Sequence, residues 1–408
     1  MTKKNLKNVI VICDYAYVEG GATKVAMNSA IELQKHFHVV YFTAVGPVSK
    51  ELEESQVEVV CLDQKDILHN ENRLQAVKQG LYNQSSRNRL RTLLKQYSPD
   101  DTVVHVHTWT KALSSSIFKE LEIQGFKVLL TVHDYFLVCP NGGLFNYKEH
   151  HICEYAPLSA KCVCTNCDSR NYGNKLFRVL RQRIQNKNIR SCHNISYIFI
   201  SNFEREQLLR RNPGIHKQYF LLNPVDVGTR IKVPCENNQF YTYAARMTED
   251  KGIRIFCEGI TKANVKGLVL GNGILFDEMK KKYPNIEFTG WVDKDGMKKY
   301  MQKTRCYVFS SIYYEGAPLT PIEMMSCGIP CIVSDKNASR DLIEDGVNGF
   351  LYDGYDSDAL AKKIALCKDD LLISKISNTV FHDFDNSDYS LHEHVSKLIQ
   401  IYQETLGE

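Results

Sequence analysis

The fold is decided by the stretch SSIYYEGAPLTPIEMMSCGIPCIVSD, residues 310–335. The apolar run YVF that precedes it and the run IPCIV near its end predict two short strands, because β-branched and aromatic residues favour strands. Between them the sequence predicts a helix over 319–327, with Pro321 in the first turn, where proline is tolerated. Gly328 then ends the helix. A strand, a loop, a helix and a second strand form the repeating unit of a parallel α/β sheet.

The same alternation extends in both directions from this stretch. Apolar runs predict strands near 8–13, 38–43, 57–62, 102–106, 127–132, 196–200, 219–222, 240–243, 266–270, 286–289, 306–309 and 330–333. Helical patterns lie between them near 22–36, 111–124, 252–262, 274–283, 294–302, 319–327, 338–344 and 356–368. Because 408 residues exceed a single core, we predict an α/β protein with two doubly wound, Rossmann-like domains in tandem.

A polar, proline-containing segment near 224–239 sets the predicted domain boundary. The first domain is predicted to span 1–224, with a cysteine-rich insertion at about 139–168, and the second 225–388. A final helix within 389–408 either caps the second domain or packs back on the first.

Composition and charge limit the classes of function. No run of apolar residues is long enough to predict a membrane-spanning helix, and the apolar run near the amino terminus is too short for a signal peptide, so we expect a cytoplasmic protein. Residues 1–224 carry 29 Lys and Arg against 20 Asp and Glu, whereas residues 225–408 carry 22 against 27. The first half is therefore expected to meet the anionic partner.

Ligands of such folds bind where strands end, so the residues that follow each strand are the candidates. Gly20 and Gly21 follow the first strand and open a helix, which allows a ligand close to the backbone, although taken alone they favour, by a narrow margin, a tight turn from strand to helix. His133 and Asp134 end a later strand, and His107 ends the strand before it. If those two strands pair, the two histidines should be neighbours and could serve proton transfer or bind a sugar hydroxyl.

The second half offers charged groups at the corresponding positions. Arg246 and Lys251 follow its first strand and could converge on one dianion. Glu315 and Glu323 are separated by seven residues, with the predicted amino terminus of a helix between them. Free amide groups there favour an anion, and a carboxylate can accept hydrogen bonds from a ribose diol.

These motifs resemble the E-x7-E signature of retaining GT-B glycosyltransferases, specifically glycosyltransferase family four of the bacterial surface-polysaccharide type. The Gly20-Gly21 loop, His133, ARMTEDKG, LGNG at 270–273, TGWV at 289–292 and DLIEDGVNGFLYD match in the same order. The resemblance implies that Arg246 and Lys251 hold the donor diphosphate, Glu323 the ribose, and Glu315 the transferred sugar. The loops at Gly271, Trp291 and Val292 would frame the base, and the backbone of Gly316, Ala317, Pro318, Leu319 and Thr320 would assist. On the other domain, Gly21 and His133 would face the donor sugar, and Gly20, His107, His133 and Asp134 the acceptor.

The resemblance further implies transfer with retention of anomeric configuration and no catalytic metal, with His133, Glu315, Arg246 and Lys251 as the catalytic set. We expect a hexose or N-acetylhexosamine to move from a nucleotide sugar, UDP-linked, to a glycan or lipid-diphosphate-linked glycan, in the setting of capsule, O-antigen or exopolysaccharide. Two alternatives stay open: a sugar-nucleotide epimerase on the same scaffold, and a non-catalytic, zinc-stabilised protein that binds glycans or lipids.

Five cysteines, Cys139, Cys153, Cys162, Cys164 and Cys167, are concentrated directly after His133. Four thiolates can form a tetrahedral zinc site, and the two-residue spacing of the last pair is usual for one. The sequence predicts structural zinc on four of the five, and the alternative is a loop with unconnected thiols.

The segment 170–190 has no acidic residue and seven basic ones. Leu176, Phe177, Leu180 and Ile184 could form an apolar stripe on the same helix. This pattern fits a helix on an anionic membrane, or a domain helix with its stripe in the core and a cationic face in solvent. Nucleic acid fits less well, because no aromatic residues alternate with the charges.

Overall fold

The computed structural model of the protein describes residues 5–386 and 389–407. The first domain contains a seven-stranded sheet with the order β3-β2-β1-β4-β5-β8-β9, in which all neighbours are parallel. Strands β6 and β7 form a separate antiparallel hairpin in the cysteine-rich insertion. The strands are β1 Asn8–Tyr15, β2 His38–Val45, β3 Glu58–Cys61, β4 Thr102–Val106, β5 Lys127–Val132, β6 Phe145–Asn146, β7 His151–Ile152, β8 Ile195–Phe199 and β9 Gln218–Phe220.

The second domain contains a six-stranded parallel sheet with the order β12-β11-β10-β13-β14-β15. Its strands are β10 Phe240–Ala244, β11 Lys266–Leu270, β12 Glu287–Gly290, β13 Thr304–Phe309, β14 Cys331–Ser334 and β15 Gly349–Tyr352. The sequence analysis did not predict β15, because Gly349-Phe-Leu-Tyr352 is short and follows a run of polar and glycine residues. Two parallel α/β sheets confirm the predicted fold class.

Helices connect the strands and cover both sheets. In the first domain they are α1 Gly21–Leu33, α2 Lys50–Glu53, α3 Arg73–Leu81, α4 Gln84–Leu94, α5 Ser116–Gln124, α6 Ala160–Cys164, α7 Tyr172–Arg190 and α8 Asn202–Arg211. The remaining helices are α9 Ile253–Ala263, α10 Phe276–Lys282, α11 Lys294–Met301, α12 Leu319–Ser326, α13 Ser357–Leu366, α14 Asp370–Asp383 and α15 Leu391–Gly407. The predicted helix over 338–344 is a 3-10 helix, Ala338–Leu342.

The last helix lies on the first domain. Val395, Leu398 and Tyr402 of α15 belong to the same apolar core as β1 and α1. The Tyr402 hydroxyl lies 2.7 Å from Nδ1 of His105, which is buried on β4. The segment that the sequence assigned to this helix extends to Glu408, which lies outside the described residues, as do Ser387 and Asp388 at the predicted end of the second domain.

Two buried imidazoles, His105 on β4 and His394 on α15 itself, make the docking of this helix sensitive to acid. Burial lowers the pKa of His105 to about 3 and that of His394 to about 4, so both rings are neutral in the folded protein at neutral pH. His394 Nδ1 lies 2.8 Å from the Leu222 carbonyl oxygen. In the unfolded chain both rings titrate near pH 6.5.

We therefore expect the free energy of unfolding to fall as the pH is lowered from about 6.5 toward about 4, because the unfolded chain binds protons that the folded core rejects. Each ring contributes a slope of up to about 1.4 kcal/mol per pH unit. Urea unfolding at a series of pH values measures this slope. His105→Gln should flatten it, while the same change at the exposed His216 should not. Equal slopes for all three proteins would contradict the assignment.

Candidate functional site

The candidate site lies in the cleft between the domains, where the carboxyl ends of both parallel sheets meet. Each loop of interest follows a strand: β1, β4 and β5 in the first domain, and β10, β11, β12 and β13 in the second. Lys24 of α1 acts electrostatically on Glu323 of α12, so the two walls are close at this point. The cleft is where the rule for ligand sites in open α/β sheets places a ligand.

Lys251 and Glu315 form an ion pair on the second-domain wall, and both side chains are mostly buried. The Ser311 hydroxyl donates a second hydrogen bond to Glu315, at 3.0 Å. Gly252 makes this pairing possible: its φ is +68°, and a Cβ there would lie 1.8 Å from the Ser310 carbonyl oxygen. Only glycine lets the loop after β10 approach the loop after β13 so closely. The two charged residues predicted for the site are therefore in direct contact.

Glu323 faces a cavity of about 310 Å³. Val292, Asp226 and Lys294 are among the other residues that line it. Burial raises the pKa of Glu323, and Lys24 and Lys294 oppose the rise. Sequence reasoning identified Glu323 and Val292 but missed both lysines. Lys24 could have been noticed, since it lies three residues after Gly21 on the helix that the two glycines open.

The amino terminus of α12 lies between the two glutamates. The helix begins at Leu319, and Pro318 before it makes no side-chain capping bond. The amide groups of Leu319 and Thr320 are therefore available to a ligand, and the helix dipole favours a negative charge there. Gly316, Ala317 and Pro318 form the short loop between Glu315 and the helix, each partly exposed.

The other predicted donor residues take different positions. Arg246 is exposed after β10, and its carbonyl oxygen accepts a hydrogen bond from Tyr243 at 3.0 Å. Gly271 packs on the backbone, because a Cβ there would lie 2.1 Å from the Ala245 carbonyl oxygen. Trp291 is 77% exposed and does not line the cavity that its neighbour Val292 lines. Of the pair predicted to frame a base, only Val292 faces the cavity.

On the first-domain wall, His107 and His133 are neighbours, as the pairing of β4 with β5 requires. Nδ1 of His107 lies 3.0 Å from Nε2 of His133, which leaves Nδ1 of His133 for a ligand. Burial lowers the pKa of His133 to about 3, so the ring is neutral at pH 7 and acts as a hydrogen-bonding group. Burial raises the pKa of Asp134 to about 6, although its Oδ1 accepts a bond from the Phe136 amide.

Gly20 and Gly21 lie at the start of α1 and are both exposed. A Cβ at either position would meet no atom within 4 Å. The space in front of these glycines is open, so their lack of side chains leaves room in the cleft and is not required by packing.

The irregular chain after His133 is held by the buried face of α7. Gln182 donates to the Leu137 carbonyl oxygen at 3.1 Å and Gln185 donates to that of Phe136 at 2.7 Å. Arg181 donates to the carbonyl oxygens of Thr110 and Pro140. Sequence reasoning missed this role, because a polar helix face is normally read as a solvent face.

The structure brings four of the five clustered cysteines together. Burial raises the pKa of Cys153 to about 11, and the neighbouring thiols of Cys139, Cys162 and Cys167 add to the rise. Cys164 is exposed. The buried Lys175 ammonium lies 3.1 Å from Sγ of Cys167 and 3.7 Å from Sγ of Cys162. Across residues 5–386 and 389–407, no three His, Cys, Asp or Glu side chains are arranged as metal ligands.

The second domain matches a known protein family. Residues 239–370 match the family model described as glycosyl transferases group 1. This range contains Arg246, Lys251, Glu315 and Glu323.

Two curated relatives are bacterial enzymes. The chain is 23% identical over 195 residues to the UDP-Gal:alpha-D-GlcNAc-diphosphoundecaprenol alpha-1,3-galactosyltransferase of Escherichia coli, covering 44% of this chain and 49% of that protein. It is 27% identical over 171 residues to the lipopolysaccharide 1,6-galactosyltransferase of Salmonella typhimurium, covering 38% and 47%. The chain thus spans about half the length of the curated relatives it matches.

Solved structures match over nearly the full length. The Anabaena protein HepE (Alr3699) in complex with UDP superposes with a TM-score of 0.68 at 13% identity, over 98% of this chain and 100% of that one. A glycosyltransferase from Rickettsia africae gives a TM-score of 0.66 at 18% identity, over 98% and 99%. At such identities the likeness establishes the fold, and the protein has the GT-B fold of two facing Rossmann-like domains.

Proposed function

We propose that the protein is a retaining, metal-independent glycosyltransferase. It transfers a hexose or N-acetylhexosamine from a nucleotide sugar, UDP-linked, to a glycan or lipid-diphosphate-linked glycan in the assembly of a surface polysaccharide. The observation that carries this proposal is the Lys251–Glu315 ion pair in the loop before α12, together with Glu323 of the same helix, which lines a cavity. The family match of the second domain and the activities of the two galactosyltransferases support it.

The charges on the second-domain wall suit the departure of a nucleoside diphosphate. When the bond from the anomeric carbon to the phosphate oxygen breaks, negative charge develops on that oxygen, and fixed positive groups stabilise it. Lys251, Arg246 and the free amides of α12 supply this stabilisation without a divalent ion. Glu323 binds the ribose hydroxyls in the cavity, as carboxylates do in other nucleotide folds.

The proposed transfer takes place on one face of the sugar. The acceptor hydroxyl attacks the anomeric carbon from the side that the diphosphate leaves, and its proton passes to the leaving phosphate oxygen. Glu315 is held by Lys251, so it is not free to act as the base and instead orients the sugar. His133, a neutral ring at pH 7, binds a sugar hydroxyl through Nδ1 from the opposite wall.

Product analysis with a panel of UDP-sugars and a lipid-diphosphate-linked glycan tests the proposal. A transferase releases UDP only when both substrates are present, and proton NMR of the product reports whether the anomeric configuration is retained. Conversion of the UDP-sugar without release of UDP would instead identify an epimerase. Binding without any turnover would support the non-catalytic alternative.

Replacing Lys251 or Glu323 by alanine should weaken UDP binding by roughly 10- to 100-fold, since each change removes a hydrogen bond to a charged group worth about 1.5–3 kcal/mol. Isothermal calorimetry with UDP measures the change. Lys262→Ala is the matched control, because Lys262 pairs with Asp358 at the opposite end of the helix that follows Lys251. Unchanged affinity in both site variants would remove the donor-site assignment.

Peripheral contact with an anionic membrane at the cytoplasmic face is the second part of the proposal, and it is supported by the outer face of α7. Leu176 and Leu180 are 44% and 47% exposed, and Tyr172 lies one turn before them. Arg183, Lys187 and Arg190 continue the same face, all exposed. Part of the apolar stripe of α7 is therefore exposed to solvent. The buried side of the helix instead carries polar residues such as Arg181, Gln182 and Gln185. In the described residues no helix is long and apolar enough to span a bilayer.

The variant Arg183→Gln/Lys187→Gln/Arg190→Gln should bind vesicles of equal phosphatidylglycerol and phosphatidylcholine about 100-fold less, because each basic residue near such a surface contributes about 1 kcal/mol. Vesicle co-sedimentation measures the partition. A matched triple change at Lys280, Lys281 and Lys282, exposed on the second domain, should leave it unaltered. An equal loss of vesicle binding in both triple variants would show that binding depends on net charge and not on the outer face of α7.

The third part is structural zinc held by Cys139, Cys153, Cys162 and Cys167, without the exposed Cys164. The mutual electrostatic effect of their thiols supports it, and so does Lys175, which is 1% exposed and donates hydrogen bonds to the sulfur atoms of Cys162 and Cys167. A buried ammonium requires an anionic neighbour, and thiolates on a metal would provide one. Within the described residues the four sulfur atoms are not arranged as metal ligands. Binding of zinc would therefore require them to move closer together.

Metal analysis of the purified protein should therefore find about one zinc per chain. Cys162→Ser should lose the zinc and lower the melting temperature, whereas Cys164→Ser should retain both. Zinc-free protein whose melting temperature does not respond to a chelator would remove zinc from the proposal.

A further inference from the structure

Glu204 is a buried carboxyl group without a hydrogen-bond partner at the contact between the two domains. It lies in the first turn of α8, where its amide donates to the Ser201 hydroxyl. The side chain is fully buried, and neither carboxyl oxygen has a partner within the described part of the chain. Buried polar atoms are rarely left unpaired, so a carboxyl group with two such oxygens requires an explanation.

The burial of Glu204 depends on contact between the domains. The Ser201 hydroxyl donates to the Gly316 carbonyl oxygen at 2.5 Å, and the Phe203 amide donates to Oδ2 of Asp341 at 2.8 Å. Arg340 of the second domain lies 4.8 Å over the Phe203 ring and pairs with Glu206 at 3.1 Å. The first turn of α8 is thus docked on the second domain, and separating the domains would return Glu204 to water.

Gly316 covers the carboxyl group directly. A Cβ at this position would lie 2.8 Å from Oε1 of Glu204 and 3.5 Å from the His133 carbonyl oxygen. The loop that carries Glu315 and leads into α12 therefore lies on Glu204 and on the backbone of the His133 loop at once. A Cβ at position 316 would therefore require the end of the Glu204 side chain to shift.

Among the residues that the structure describes, no positively charged side chain is directed at Glu204 to compensate a negative charge, and only the Ile200 backbone favours the charged form. Asp134 acts on it as a like charge, and Tyr135 from the same loop has a buried hydroxyl without a partner. On the second-domain side Asp341 accepts a hydrogen bond from the Phe203 amide, Glu315 is paired with Lys251, and Arg340 is directed to Glu206 and Asp341. Burial and Asp134 raise the pKa of Glu204 well above its usual value. A charged carboxylate would be costly here, whereas a neutral carboxylic acid would not.

We propose that Glu204 is a positioning residue that takes up a proton when the cleft closes and, as a neutral acid, lets the Gly316 loop settle on the first domain. In the open cleft, water hydrates its carboxylate. Closure then positions Glu315 and the amino terminus of α12 opposite His133. The contact between Glu204 and the Gly316 loop acts on the two domains themselves and does not depend on which ligand the cleft accepts.

The proposal sets the direction of the pH dependence. The closed form binds one proton more than the open form, so raising the pH favours opening. Above the ordinary pKa of an exposed glutamate, about 4.3, the closed-to-open ratio falls about tenfold per pH unit until the closed form itself ionises.

Small-angle X-ray scattering of the ligand-free chain between pH 5.5 and 9 tests this. The radius of gyration of the wild-type protein should increase with pH, whereas Glu204→Gln, which is neutral throughout, should remain compact. Glu53→Gln, at an exposed position on α2, should follow the wild-type profile. A Glu204→Gln profile that follows the wild type, or a wild-type radius independent of pH, would overturn the proposal.

A second pair of variants tests the contact without relying on titration. Gly316→Leu should open the cleft at every pH, because a side chain of that size cannot be accommodated by a shift of the Glu204 carboxyl end alone. Adding Glu204→Ala removes the group that the new side chain meets first and should give a smaller radius than the single variant. Circular dichroism confirms folding in each case. A compact Gly316→Leu protein, or a double variant as open as the single one, would overturn the proposal.

Discussion

The carboxyl ends of two parallel sheets face each other, and this constraint determines where everything else can lie. Every strand of both large sheets runs parallel to its neighbours, so all the loops that follow strands come out at one edge of each sheet. Residues far apart in the sequence thereby meet without any special motif. Lys251 and Glu315 are 64 positions apart, yet they form an ion pair because they follow the adjacent strands β10 and β13.

Buried polar groups hold these loops in place. Asp14, fully buried near the end of β1, accepts hydrogen bonds from the amides of Lys111, Ala112 and Leu113 and so fixes the start of the connection to α5. Gln182 and Gln185 do the same for the chain after His133. The backbone N–H and C=O groups of an irregular segment cannot pair with one another as those of a helix or sheet do. Side chains must therefore supply their hydrogen-bond partners. The polar core of the first domain is therefore the support of its candidate site.

The contact between the two domains involves both a loop that follows a strand and a buried polar group. The first turn of α8, which begins the crossover from β8 to β9, also meets the loop after β13, and Glu204 and Gly316 touch there. Helix α15 returns from the second domain to the first and packs beside β1. The chain therefore crosses between the domains twice, once before β10 and once before α15, and these crossings leave the domains connected beside the cleft.

The amino-acid sequence alone determined the α/β alternation, most strand positions and the pair Glu315 and Glu323, because apolar periodicity and the strand–loop–helix pattern are local properties. Only the tertiary structure decided that Glu315 is bound by Lys251, that Trp291 is exposed, that α7 turns its polar face inward and that Glu204 is buried without a partner. Those outcomes depend on which segments, distant in the sequence, pack together, and a local sequence pattern does not specify such contacts. The strand β15 was missed because its own four residues give a weak local signal, and it forms by pairing with β14.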